Sequence, residues 1–171
     1  MLKTSIRDDN PVLVLECEML YSSKGMVEPL DQELLIPLGE AELKREGSDV
    51  SIICYAQTVP LALAAAEQLE EEDISAEVLD LRSIKPLDEE AIYRTVAKTH
   101  RVVIIEQDRP FCGVGAEVCY RIQKNIFDQL DAPILRVAQE EVPMPYNERL
   151  EKAALPSTEK LIEAVHKVTY S

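Results

Sequence analysis

The sequence has no tryptophan, two histidines, five glycines and an aromatic content of only 5%. Histidine scarcity and the absence of any Cys-x-x-Cys pair among Cys17, Cys54, Cys112 and Cys119 exclude the usual zinc-ligand spacing. Basic residues are also short, 18 against 32 acidic ones, for a formal net charge of −14. Nucleic acid and anionic membranes are therefore poor partners, since phosphate binding needs a basic surface. No apolar run approaches the roughly 18–20 residues that span a bilayer, and the N-terminus lacks a signal-peptide pattern. Cys17 and Cys54 lie in apolar runs and read as small core residues, and four reduced thiols suit a cytosol-like compartment.

Apolar residues make up 46% of the 171, enough for one ordinary domain. The clearest stretch runs from Arg101 to Asn125. It opens with Val102-Val103-Ile104-Ile105, a run apolar on both faces that suits a strand inside a parallel sheet. Glu106 ends the run. A polar loop with Pro110 follows, then Gly113-Val114-Gly115-Ala116-Glu117, then Val118, Ile122 and Ile126 at helical spacing.

The remaining elements follow the same rhythm. Ala41–Arg45 reads as a short edge strand before the turn at Gly47-Ser48-Asp49, and Val50–Tyr55 as a buried strand. Thr58 is the expected cap of a helix with Leu61, Ala65, Ala66 and Leu69 on one face. An acidic cluster, Glu67, Glu70, Glu71, Glu72 and Asp73, closes it and opposes the helix dipole. Ala76–Leu81 is the next strand. Asp88 caps a helix with Ile92, Val96 and Thr99 inward. Ile134–Val137 is the last strand, and Val142-Pro143-Met144-Pro145-Tyr146 is rigid and extended. Ser157 or Thr158 caps a final helix with Leu161, Ile162, Val165 and Val168 as its stripe. The order from Val50 is β-α-β-α-β-α-β-α. Right-handed crossovers then make a three-layer α/β fold, a mostly parallel sheet with helices on both faces.

The first 35 residues fit this scheme poorly. Leu2–Asp9 resembles the last turns of a helix, and Val12–Glu16 has the composition of another buried strand. Such a strand needs neighbours on both sides, which the next 20 residues do not supply. Residues 1–35 are therefore expected to be the end of an upstream domain plus a linker over Met26–Glu33, and residues 36–171 the α/β domain.

Candidate chemistry is sparse. Gly113-x-Gly115 after a buried strand is a partial match to the dinucleotide pattern, but Val118 stands where its third glycine belongs and Glu117 would repel a phosphate. A stand-alone anion- or nucleotide-binding module remains the alternative to a packing turn. Cys112 precedes a helix N-terminus, where a thiol pKa can be depressed, but a nucleophilic cysteine would want a base nearby. His100 lies at the other end of the strand, roughly 20 Å away at about 3.3 Å per residue. His166 sits on the terminal helix as a surface residue. No catalytic set is self-contained in these residues.

Taken in order, the motifs do point to a family. They are Ile6-Arg7-Asp8-Asp9-Asn10-Pro11, Leu15-Glu16 to Leu20-Tyr21, Ile36-Pro37-Leu38-Gly39, Gly47-x-Asp49-Val50, Glu77 to Arg82-Ser83-Ile84-Lys85-Pro86-Leu87-Asp88, Gly113 to Glu117, Leu130-Asp131-Ala132-Pro133 and Val142 to Tyr146. Together they resemble the beta subunits of thiamine-dependent 2-oxoacid dehydrogenases, relatives of transketolase and deoxyxylulose-phosphate synthase. The V-P-M-P-Y and F-D-x-L-D-A-P wording leans toward pyruvate rather than branched-chain 2-oxoacids. The resemblance covers the end of the pyrimidine-binding domain and the whole transketolase C-terminal domain.

The resemblance implies thiamine diphosphate and magnesium in a full complex, with none of the catalytic or cofactor-binding residues in this part. Neither His100 nor His166 matches the family's active-site histidine. It implies a potassium site at Ser5, Ile6, Asp8 and Asn10, incomplete here. It implies an alpha subunit, a second beta subunit and the basic subunit-binding domain of a dihydrolipoyl acyltransferase as partners. The last would meet Asp131, with Asp128 and the terminal Ser171 as looser matches, in keeping with the −14 charge. The expected compartment is the bacterial cytoplasm, with plastid or mitochondrial matrix as alternatives.

Overall fold

The computed structural model describes residues 1–26 and 33–171, so most of the expected linker lies outside the described residues. The sheet has five strands: β1 (Glu42–Arg45), β2 (Val50–Cys54), β3 (Ala76–Asp80), β4 (Val102–Ile105) and β5 (Leu135–Val137). Their spatial order is β1-β3-β2-β4-β5. β2, β3, β4 and β5 pair in parallel, and β1 runs antiparallel along β3 at the edge. The helices are α1 (Leu2–Ile6), α2 (Thr58–Glu70), α3 (Glu89–Thr99), α4 (Val114–Ile126), α5 (Glu148–Ala154) and α6 (Thr158–Thr169).

Alternation along the strands builds two cores. Ile52, Cys54, Val78, Val103 and Ile105 face α2 and α6, where Ala65, Leu69, Leu161 and Val165 meet them. Ile53, Leu79, Val102 and Ile104 face α3 and α4, against Ile92, Val96, Val118 and Ile122. All five residues of β2 are buried, as a central parallel strand requires. Its one hydroxyl, Ser51, is satisfied by Thr99 Oγ1 at 2.6 Å and by the Thr95 carbonyl, which accepts at 3.1 Å.

Caps set the helix starts. Asp88 accepts from the Ala91 amide at 3.0 Å, and Ser157 from that of Lys160 at 3.3 Å. Thr58 does not cap α2. Its hydroxyl turns back to donate to the carbonyls of Tyr55 and Ile105, and Gln57 takes the cap position without a side-chain bond. On α2 the buried stripe runs through Ala62 where Leu61 was expected, because Leu61 lies half-exposed at the edge of the core.

The largest departure is at the N-terminus. Val12–Glu16 forms no strand, and Leu13 and Leu15 are 92% and 91% exposed. Its apolar composition suits a strand flanked on both sides, and no described strand pairs with it. No residue of 1–26 is buried. The segment touches the domain at points: Thr4 Oγ1 donates to the Ile36 carbonyl at 2.7 Å, and Cys17 Sγ to Gln57 Oε1 at 2.9 Å. α5 was not expected from the sequence. Asn147 starts it by accepting from the amides of Arg149 and Leu150.

Candidate functional site

In a parallel sheet the loops at the carboxyl ends of the strands are where ligands are bound. Here that end carries a carboxylate of the chain itself. Glu106, directly after β4, is 0% exposed. It accepts from the Gly115 amide in the first turn of α4 at 2.7 Å and from Arg136 Nε on β5 at 3.0 Å. Arg136 Nη2 makes a second contact, an ion pair, with the same carboxylate, and the Tyr55 hydroxyl lies at 3.4 Å. Burial pushes the Tyr55 phenol up, and the Glu106 charge adds to this.

The two glycines of the turn exist to let this happen. A Cβ at Gly115 would stand 2.5 Å from Glu106 Oε1 and 2.9 Å from Arg136 Nε. One at Gly113 would meet the Arg109 carbonyl at 2.6 Å and Arg136 Nη2 at 2.9 Å. The helix N-terminus that suggested an anion site is thus filled in cis by Glu106, and Gly113-Val114-Gly115 is a packing turn around it. Sequence reasoning missed this pair, because Glu106 looked like the polar end of a strand and its partner lies 30 residues on. The one available signal was an acidic residue directly after a buried strand and before a glycine turn.

The other singled-out residues do not converge. Cys112 is exposed, with φ 59°, beyond the carboxyl end of β4. His100 ends α3 before β4, and its Nδ1 lies 2.8 Å from the Gln129 carbonyl. His166 is not a plain surface residue. Its Nε2 lies 3.2 Å from Glu72 and its Nδ1 2.9 Å from Ser171 Oγ. Cys54 and Cys119 are thiols raised by burial, Cys119 to about 11.

Ser5, Ile6, Asp8 and Asn10 fall together in and after the last turn of α1. The Ser5 carbonyl accepts from the Asp8 amide at 3.4 Å, and Asp8 Oδ1 accepts from both the amide and the side chain of Asn10 at 2.9 Å. Those two bonds hold the Asp8 carboxyl below its usual range.

Asp128, Asp131 and Ser171 lie at the opposite, amino end of the sheet, where α2, α3, α4 and α6 all finish. Asp131 is exposed, its amide bound to the His100 carbonyl at 2.9 Å and its carboxylate 3.8 Å from Arg101. Asp128 accepts from Gln129 at 3.1 Å. The cluster Glu70, Glu71, Glu72 and Asp73 ends α2 at the same end. Helix C-termini are themselves partially negative, so this end concentrates negative potential. Among the described residues no group of three His, Cys, Asp or Glu side chains is placed to hold a metal ion. The glycine turn before α4 is already filled by Glu106 and so offers no free cradle for a diphosphate.

A mostly parallel five-stranded sheet carrying helices on both faces defines a three-layer α/β domain. The chain belongs to the transketolase C-terminal domain family, whose model matches residues 39–161. Over 98% of its length it is 46% identical to the mitochondrial pyruvate dehydrogenase E1 component subunit beta of Caenorhabditis elegans, covering 48% of that protein. It is 48% identical to the pyruvate dehydrogenase E1 component subunit beta of Rickettsia felis, covering 99% of this chain and 52% of that one. The chain therefore spans about half the length of these curated relatives.

Among solved structures, a split gene transketolase described as an inactive beta4 tetramer superposes with a TM-score of 0.70 at 27% identity, over 85% of this chain and 46% of that one. A Pichia stipitis transketolase, at TM-score 0.55 and 14% identity over 77% of this chain and 18% of that one, shares the fold. The expected three-layer fold and the resemblance to the C-terminal part of a pyruvate dehydrogenase beta subunit are both borne out. The relatives are bacterial and mitochondrial proteins. Among the described residues no helix is long and apolar enough to cross a membrane.

Proposed function

We propose that this chain serves as the C-terminal part of the beta subunit of a pyruvate dehydrogenase, acting in assembly and partner docking while the chemistry resides elsewhere in the complex. The observation that carries this reading is the near-complete match to beta subunits twice its length, joined to a buried carboxylate–cation pair at the carboxyl end of the sheet that is spent on the chain's own backbone. Residues 1–35 are the end of the preceding domain and its linker, and 36–171 the docking domain. Thiamine diphosphate with magnesium would supply the decarboxylation chemistry in the whole complex with the alpha subunit. The turn at Ser5, Ile6, Asp8 and Asn10 would contribute oxygens to a potassium ion.

Two surfaces divide the partners. The acidic amino end, with Asp131, Asp128 and Ser171, suits the basic subunit-binding domain of a dihydrolipoyl acyltransferase. The carboxyl end carries exposed apolar side chains instead: Phe111 is 78% exposed, and the segment that follows β5, which binds its loop, exposes Val142, Met144 and Tyr146. A second copy of this chain is its partner. The beta4 assembly of a 27%-identical relative supports that choice, and so does the location of the acidic cluster at the far end, where it repels a second copy least.

Mixing the chain with the alpha subunit, thiamine diphosphate and pyruvate tests the division of labour. No turnover is expected, and measurable turnover would overturn it. Calorimetry against the acyltransferase domain tests docking. Asp131→Ala should weaken binding several-fold, and unchanged affinity removes that residue's role.

A further inference from the structure

Glu106 and Arg136 do more than neutralise each other. Arg136 reaches from β5 with three of its N–H groups in use: two to Glu106 and one, on Nη1, to the Pro110 carbonyl at 2.9 Å. Pro110 lies in the middle of the loop Gln107–Cys112. The same loop is held at both flanks by the segment after β5. The Gln139 amide donates to the Asp108 carbonyl at 3.1 Å, and the Phe111 amide to Glu141 Oε1 at 3.3 Å. At its end Cys112 takes a left-handed backbone, φ 59°, that a non-glycine residue adopts only when its surroundings impose it. The large apolar side chain that this loop exposes is Phe111.

We infer that Glu106 and Arg136 are positioning residues: a buried clasp that holds Gln107–Cys112 in one conformation before any partner arrives, so that Phe111 is presented ready for contact. A planar guanidinium is the group that can do this, because its fork serves carboxylate and carbonyl at once, whereas an ammonium is a single point charge. Ordering a loop in advance removes that cost from association. The contact itself rests on the reading that the carboxyl end meets a second copy of this chain, but the clasp does not.

Hydrogen exchange on the isolated chain separates the two. In Arg136→Ala the amides of residues 107–113 should exchange at least tenfold faster, with α2 and α6 unchanged. Ethylguanidinium at millimolar concentration should restore protection, which a loss of general packing would not allow. Arg136→Lys, which keeps the charge, should behave like the alanine variant, and it also serves if Arg136→Ala fails to fold. Loop protection unchanged in both variants overturns the clasp, as does protection fully retained by Lys. Phe111→Ala should leave loop exchange alone and weaken self-association by about tenfold in sedimentation. Unchanged association there sinks the interface reading and leaves the clasp standing. A freed loop in Arg136→Lys with undiminished association sinks the claim that presentation matters.

Discussion

Two glutamates are buried in this domain, one at each end of the sheet, and they are treated differently. Glu106 is enclosed: its cation, Arg136, is only 20% exposed, and a helix N-terminus completes the site. Glu77 on β3 is capped from outside. Its ion-pair partner Lys98 is 46% exposed, and Thr95 and the Gly47 amide, at 3.3 Å, hold the rest of the carboxylate. A pair with little solvent access has little water to replace a lost partner, whereas a pair at the rim has more. Burial of the carboxylate alone therefore does not define its importance; the access of water to its partner does.

Removing each cation sharpens that difference. Arg136→Met strands Glu106 without a cation and should cost about 3–5 kcal/mol, read from urea unfolding. Lys98→Met leaves Thr95 and Gly47 in place and lets water reach Glu77, and should cost only a small part of that. Equal losses would break the comparison. Gly115→Ala, which drives a methyl into the Glu106 carboxylate, should cost about 1–3 kcal/mol, while Gly25→Ala, with open space around it, should stay within about 0.5 kcal/mol.

Alkaline pH gives a smaller effect. Burial raises the Cys119 thiol from 9.0 to about 11, and Cys54 and Tyr55 are raised too. These groups are held protonated in the folded state and ionise more readily in the unfolded one. Their contribution is complete below about pH 9 and fades as pH rises toward 11. Thermal midpoints should be flat from pH 7 to 8.5 and fall above 9, less steeply in Cys119→Ala. A midpoint that rises across that range contradicts the sign. Asp131→Ala should move stability least, since its Arg101 contact is long and exposed, at 3.8 Å; a shift beyond about 0.5 kcal/mol would make it a structural residue.

Much of the fold was legible because it rests on local pattern. Val50–Tyr55 and Val102–Ile105 have the unbroken apolar composition that only doubly covered strands carry, and Asp88 announces its helix by its chemistry. The N-terminal run Val12–Glu16 has the same composition and is no strand, because composition states what a segment needs and not whether neighbours are present. Thr58 has the chemistry of a cap, but two carbonyls compete for its hydroxyl. The Glu106–Arg136 pair was invisible for a different reason. Its partners come from three elements, and only the sheet order that puts β5 beside β4 brings them together.

The exposed pair Leu13 and Leu15 has a consequence for handling. An extended apolar arm with unpaired backbone is a template for adding another strand. The edge strand β1, by contrast, carries Glu42, Lys44 and Arg45, charges that discourage such pairing. Aggregation should therefore start at the arm and rise with concentration even where the domain itself stays folded. Leu13→Lys with Leu15→Glu should raise the solubility limit while leaving the unfolding midpoint where it was.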